Sequence, residues 1–356
     1  MKLSIEQQNA IKNIREWYKE TSNEPYVLSG YAGTGKTTLA KHIAGSMRNV
    51  IFCAYTGKAA NVLNDKGCKP ASTIHSILYQ LIQNRGNKDP LFEYNPVYSA
   101  RNASLIIVDE FSMLPNDMII DLLRTNNKVL FLGDPFQLPP IKGVNSLKPN
   151  MVLTQVHRQA LESPILRAAT NVREGKRLDY SNKGDFIYMP KNKIDQSIFM
   201  DVSQLITGRR KTRDDWNTAF MKNSNLFHKK HPIDGQKVIC TRNNKRKGLI
   251  NGMIGHIQNL NIVDDICKFD FKYQHQHFLI KTKLKSFKDD KFYEAMYDSF
   301  YHGYAITCHK SQGSEFDSIA IMNEPVGKTK LDCQRWLYTA ITRAKNKCYL
   351  VDKEKQ

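Results

Sequence analysis

Between residues 5 and 18, Ile5, Ala10, Ile11, Ile14, Trp17 and Tyr18 recur at helical spacing with polar residues between them, which predicts an amphipathic helix. The pattern then changes to short unbroken apolar runs at residues 26–29, 50–54, 105–108 and 129–132. Such runs predict strands covered on both faces, as in a parallel sheet. After the first of them, Leu39, Ile43, Ala44 and Met47 return to helical spacing. Strand alternating with helix defines an α/β chain. Further on, residues 163–173 read as a helix with Pro164 in its first turn, and residues 203–207 and 237–241 read as strands. Gly248, Gly252 and Gly255 mark a tight turn. Residues 254–262, 267–273 and 278–284 follow as β-prone stretches without helices, the pattern of a small barrel.

At 356 residues the chain is long enough for two or three domains. Its formal net charge of +19 points to a polyanionic partner, nucleic acid above all, although a basic surface can also be merely solvated. The seven cysteines form no C-x-x-C pair and are irregularly spaced. That argues against a zinc site or a disulfide framework and for a reducing, cytoplasmic setting, the host's if the chain is phage-encoded. Lys2, Glu6, Gln7 and Gln8 stand where a signal peptide would be apolar. No apolar run approaches the roughly 18 residues of a membrane span, so no membrane partner is expected.

The chemistry begins at Gly30-Tyr31-Ala32-Gly33-Thr34-Gly35-Lys36-Thr37, which satisfies G-x-x-x-x-G-K-[ST] between a predicted strand and a predicted helix. Glycines let the backbone curl round phosphate oxygens, and the positive end of the following helix favours an anion. Gly33, Thr34, Gly35, Lys36, Thr37 and Thr38 are the candidate nucleotide contacts, with Lys36 on the β- and γ-phosphates and Thr37 on Mg²⁺. At the exit of residues 105–108 stand Asp109 and Glu110. Asp109 suits the same Mg²⁺, and Glu110 suits orientation or deprotonation of the attacking water. Gln137 lies beyond the next strand, where it can sense the γ-phosphate, and Phe136 beside it offers a face to a base or packs in the core. Gln7 can pair with an adenine edge or simply face solvent. Thr56 and Lys58 suit a phosphate backbone, or else a turn and helix start; His75 belongs to a similar polar cluster.

In order along the chain, residues 30–37, 55–60, 108–113 and 132–140 resemble motifs I, Ia, II and III of superfamily 1 helicases. Gln155-Val156-His157-Arg158 resembles the motif that supplies an arginine finger, residues 304–315 resemble motif V, and residues 336–344 resemble motif VI. Gly133-Asp134-Pro135-Phe136-Gln137-Leu138-Pro139-Pro140 and Cys308-His309-Lys310-Ser311-Gln312-Gly313 are most similar to the 1B branch, especially its Dda-like and RecD-like members. The resemblance runs from Leu3 to about Val351.

That resemblance implies two RecA-like parallel-sheet domains of the P-loop NTPase type, with ATP in their cleft and single-stranded DNA across their top. The implied boundaries are 1–150 for the first domain, including a β-hairpin pin at about 77–103. The second domain is implied at 151–251 and 298–356, interrupted by a small SH3-like barrel at 252–297. By the same resemblance Lys36, Glu110, Gln137, Arg158 and Arg343 are catalytic, and Gln7, Gln312, Gly313 and Glu315 join the nucleotide site. Arg158 and Arg343 would come from the second domain, so that both reach the γ-phosphate only when the cleft closes. Thr56, Lys58, His75, Phe136, His309 and Ser311 match strand-binding positions. Arg210, Lys211 and Asp215 fall in a motif that binds nucleotide or orders the domain, or form a solvated helix start.

The implied activity is an ATP-dependent, Mg²⁺-requiring DNA helicase that translocates 5′ to 3′ on single-stranded DNA and opens a DNA fork; the direction comes from the resemblance alone. One rival is a translocase that displaces proteins from single strands with little unwinding. Another is an ATP-regulated DNA-binding switch, against which Glu110, Arg158 and Arg343 argue. A monomer is expected, with replication or single-strand-binding proteins as candidate partners. Within the pin, Phe92 and Tyr94 are either the wedge at the fork or aromatics that pack the hairpin onto its domain.

Overall fold

The computed structural model describes residues 3–82, 91–155, 162–193, 197–228, 231–294 and 296–352. These fall into two compact units. The first takes in the described residues up to 177 and also Thr329–Thr342. The second takes in residues 178–328 and those from 343 onward.

The first unit opens with the helix Ile5–Lys19, started by a reciprocal capping box between Ser4 and Gln7. Its buried face is Ala10, Ile11, Ile14 and Trp17, the side that the apolar spacing predicts. Each large apolar side chain so buried contributes about 1.5–3 kcal/mol, more than the roughly 1 kcal/mol of a cap, so packing holds this helix and the cap sets where it starts. The strands are β1 (Tyr26–Gly30), β2 (Val50–Ala54), β3 (Ala71–Thr73), β4 (Tyr79–Ile82), β5 (Leu91–Tyr94), β6 (Leu105–Asp109), β7 (Lys128–Gly133) and β8 (Met151–Leu153). Six of them form a sheet in the order β3-β2-β6-β7-β1-β8, with every pairing parallel. Two apolar clusters cover its two faces, one holding Leu28, Leu39, Ile107 and Leu130 and the other Val27, Ile106, Val108 and Phe131. Alternate residues of each strand therefore go to opposite sides, which is why these strands read as unbroken apolar runs.

Strands β4 and β5 form a separate antiparallel hairpin where the pin is expected; its turn, 83–90, lies outside the described residues. The expected boundary at 150/151 is corrected by β8, which pairs with β1 as the edge of the first sheet. The helix Pro164–Arg173 also belongs to the first unit, as does the helix Lys330–Ile341, which returns from far along the chain to pack on it. The expectation that 298–356 is wholly a second domain is corrected accordingly.

The second unit contains β9 (Phe186–Pro190), β10 (Gln204–Thr207), β11 (Lys237–Cys240), β12 (Ile254–Val263), β13 (Ile266–Tyr273), β14 (Gln276–Lys283), β15 (Phe300–His302), β16 (Ala305–Thr307), β17 (Phe316–Asn323) and β18 (Ala344–Asp352). A second all-parallel sheet runs β16-β10-β17-β18-β9. The two parallel sheets give the chain two RecA-like halves. An antiparallel sheet, β14-β13-β12-β11-β15, closes on a core that includes Phe269, Phe271, Phe287 and Phe300. It takes in β11 and β15 and so extends beyond the expected limits of 252 and 297. Among the described residues no helix is long and apolar enough to cross a membrane.

Candidate active site

The first unit gathers the nucleotide motifs at the carboxyl ends of neighbouring strands β1, β7 and β6, where open parallel sheets place ligands. Gly33 and Gly35 have φ of 81° and 79°, a left-handed backbone that glycine adopts without a Cβ penalty. The helix Lys36–Ala44 starts directly from Gly35, with no acidic residue in its first turn, so its positive end is open to an anion. Lys36 Nζ donates to the carbonyls of Gly30, at 2.6 Å, and Tyr31, at 3.1 Å, which hold the ammonium over the loop. Thr37 is half-buried and Thr38 exposed. Thr34 is 1% exposed and its hydroxyl donates to Tyr31 O, so its part in anion binding falls to its backbone. Gln7 is not a surface residue: it is 2% exposed, and its Nε2 donates to Thr34 O at 3.0 Å while its Oε1 accepts from Ser4 N–H. It thereby supports the loop from the first helix.

At the exit of β6, Glu110 has φ 58° and ψ 44°. A left-handed backbone at a non-glycine residue costs on the order of 1–3 kcal/mol and persists where the surroundings require it. Here it turns the chain sharply at the second carboxylate, and Asp109 Oδ1 accepts the Glu110 N–H at 2.9 Å. Thr37 and Asp109 are hard oxygen donors, the type that suits Mg²⁺, which keeps phosphate oxygens and waters as its other ligands. Beneath them, burial and the Asp109 charge push the Cys53 thiol well above its usual range, so it stays neutral.

Strand β7 ends at Gly133, where a Cβ would come within 2.6 Å of the Phe111 ring, so the loops after β6 and β7 lie against each other. Asp134 is fully buried, and Gln137 is nearly so. Phe136 is half-buried, its ring edge-on to Tyr338 with centroids 5.3 Å apart. The Tyr338 hydroxyl accepts from Ala32 N–H at 3.0 Å and donates to Asp134 Oδ2 at 2.5 Å. The Arg173 guanidinium lies 3.7 Å from the ring centroid of Tyr31, also in the P-loop. Neither Tyr338 nor Asp134 is assigned a role by sequence reasoning. The available signal is position: Asp134 stands at a strand exit, and Tyr338 lies inside motif VI.

The candidate strand contacts divide. Thr56 is the N-cap of the helix Gly57–Asp65, its hydroxyl accepting from Ala59 N–H, while Lys58 is half-buried one residue inside that helix. The His75 ring stands among Tyr55, Tyr79 and Phe92, at centroid distances of 6.2, 5.4 and 5.9 Å. Phe92 is 48% exposed, whereas Tyr94 packs on the core of the first unit and beneath Arg124.

In the second unit Ser311 is fully buried and its hydroxyl donates to Cys308 O at 2.7 Å. This corrects its expected place on the strand: it braces the turn. Its neighbour His309 is half-buried, and burial lowers its pKa, leaving the imidazole neutral at pH 7. Lys310 donates to Asn251. Gln312 is 4% exposed, Gly313 has φ 69° and Glu315 is exposed. Arg343 is 4% exposed and donates to Ser314 O at 3.3 Å. Arg210, Lys211 and Asp215 are exposed, with Arg210 paired to Asp290 at 3.4 Å. Arg158 lies outside the described residues.

A P-loop, an acidic pair after a buried strand and a polar loop on the next strand define a P-loop protein of the RecA-like type. Residues 2–188 match the family model described as AAA domain, and residues 302–351 match the UvrD-like helicase C-terminal domain. The chain belongs to this AAA-domain family, and its matches are to helicases of superfamily 1B. It is 26% identical over 355 residues to the ATP-dependent RecD2 DNA helicase of Deinococcus radiodurans, covering 91% of this chain and 46% of that protein. To the ATP-dependent DNA helicase dda of Enterobacteria phage T4 it is 32% identical over 189 residues, 48% of this chain and 42% of that protein. The chain thus spans less than half the length of these curated relatives. Its fold is similar to that of the Pif1 helicase from Bacteroides in complex with ADP-AlF3 and ssDNA, with a TM-score of 0.64 and 20% identity over 100% of this chain and 94% of that one. Similar too is the Pif1 helicase from Candida albicans, with a TM-score of 0.58 and 17% identity over 99% and 94% of the two chains.

Proposed function

We propose that this chain is an ATP-dependent DNA helicase that moves 5′ to 3′ along single-stranded DNA. The observation that carries this reading is that Lys36, Glu110 and Gln137 each follow the carboxyl end of one of three neighbouring parallel strands, with Glu110 in a left-handed backbone. Lys36 neutralises the β- and γ-phosphates, and Glu110 orients and deprotonates the attacking water. Thr37 and Asp109 would hold Mg²⁺, which would supply charge neutralisation to the phosphates. Arg158 and Arg343 are proposed as the transition-state arginines. Family membership and the helicase names of the relatives support the reading, as does the net charge of +19. The test is strand displacement on duplexes carrying either a 5′ or a 3′ single-stranded tail, with and without ATP. Unwinding only with ATP and only from the 5′ tail is expected. ATP hydrolysis stimulated by single strands without unwinding would favour a translocase that displaces proteins. Binding that responds to ATP without turnover would favour a switch.

The hairpin β4–β5 is proposed as the separating pin, with Phe92 as its aromatic face. Phe92 pairs with Leu81 nearer the turn, whereas Tyr94 pairs with Tyr79 at the base. Phe92→Ala is therefore expected to keep near-parental DNA-stimulated ATPase and lose most unwinding. Tyr94→Ala is expected to lower the melting temperature and both activities together, because it removes packing. Parental unwinding by Phe92→Ala would show that the face of the pin lies elsewhere in the hairpin.

A further inference from the structure

Every nucleotide-driven motor needs a physical link between the phosphate loop and the surface that grips its track. In the first unit Tyr338 and Asp134 together join the P-loop to the backbone of Phe136. Tyr338 sits in the last turn of the helix Lys330–Ile341 and is 1% exposed. Its hydroxyl takes part in two hydrogen bonds with different partners. It accepts the N–H of Ala32, inside the P-loop, and donates to Oδ2 of Asp134, the residue after β7. The other oxygen of Asp134 accepts the N–H of Phe136 at 2.9 Å. The run is unbroken from the P-loop backbone, through one phenol and one carboxylate, to the backbone of Phe136. The next residue of the helix, Thr339, is also fully buried, and its hydroxyl accepts the N–H of Leu138 at 3.0 Å. The end of this helix thus holds the loop 134–138 on both sides of Phe136 and Gln137.

We infer that Tyr338 is a positioning residue that relays the state of the P-loop to the loop carrying Phe136 and Gln137. Three features support this. A phenol can accept and donate at once, so one oxygen can join two groups that would otherwise need separate partners. Asp134 is fully buried, and a buried carboxylate deprived of a donor is costly, so the loop follows the hydroxyl when it moves. The Phe136 ring rests edge-on against the ring of the same tyrosine, so a displacement of Tyr338 also moves a side chain that the helicase resemblance matches to a strand-binding position. The inference rests on the proposed function.

The test is Tyr338→Phe, which removes one oxygen and keeps the ring. Affinity for single-stranded oligothymidylate is measured with and without a non-hydrolysable ATP analogue, together with analogue affinity in the absence of DNA. In the parent protein the analogue should change DNA affinity by a coupling factor, typically about 5–150-fold. The variant is expected to bind DNA alone and analogue alone within about threefold of the parent, while its coupling factor falls to within about twofold of unity. Asp134→Ala cuts the same run from the other end, removing the oxygens bonded to Tyr338 and Phe136, and should give the same loss; it carries the test if Tyr338→Phe does not fold. The double variant should be no worse than either single one, since each already breaks the relay. A parent that couples and a Tyr338→Phe variant that couples equally would overturn the relay alone. A parent with no nucleotide-dependent DNA affinity would overturn the helicase reading and the relay with it. Failure of both single variants to fold would make Tyr338 a structural tie and overturn the relay.

Discussion

Lys36→Ala is expected to reduce ATP hydrolysis by about 10²–10³-fold or more while leaving the fold intact. The ammonium is held by the carbonyls of Gly30 and Tyr31, directly above the left-handed glycines whose N–H groups would receive phosphate oxygens. Alanine keeps the first turn of the helix Lys36–Ala44, since it is the best helix former, and the freed carbonyls can turn to water. What is lost is the one side-chain cation of the loop, at the place where charge builds on the transferring phosphoryl group. Single-turnover hydrolysis and a thermal melt check this together. Hydrolysis within tenfold of the parent at an unchanged melting temperature would remove Lys36 from the chemistry.

Glu110→Gln is expected to bind nucleotide about as well as the parent and to turn over about 10²–10⁴-fold more slowly, the range for loss of a general base. The amide has the same shape, so the turn after β6 is kept and only the basic oxygen goes. A second substitution separates chemistry from backbone. Because Glu110 has φ 58°, Glu110→Gly relieves the left-handed penalty, and that gain offsets glycine's usual entropic cost. It should lose hydrolysis just as fully yet melt close to the parent temperature. A Glu110→Gly variant that melts several degrees lower would mean that the side chain, and not catalysis, is what this backbone serves.

The sequence is most legible where chemistry and local geometry coincide. Residues 30–37 carry their own turn, and the four apolar residues before Asp109 read as a buried strand, which is where β6 lies. The first helix is equally plain, because Ile5, Ala10, Ile11, Ile14, Trp17 and Tyr18 recur at helical spacing. Long-range pairing is less visible. Met151–Leu153 is three residues long and carries nothing that names β1 as its partner, so linear order alone suggests a new domain there. Hydroxyls are open to two uses. Ser311 and Thr56 read as polar contacts for a ligand, but a short hydroxyl near a chain reversal is just as well used by the backbone, and both bond there. Tyr338 is the hardest case. In the sequence it is one more aromatic on a helix, and its two partners lie 306 and 204 residues away.

That separation sets the order in which the protein can be completed as it is made. The first sheet has all its strands once residue 153 has been synthesised, yet the helix that belongs with it arrives only with Thr329–Thr342, after the second unit up to residue 328. At the roughly 5–20 residues per second of translation, the nascent sheet must wait many seconds for that helix. Through that interval Asp134 has no tyrosine and Ala32 no acceptor from it. A nascent chain stalled before residue 329 should therefore hold a loosened P-loop and stay open to proteases in the loop 134–138. The nucleotide site is thus synthesised before the second unit and finished only after it.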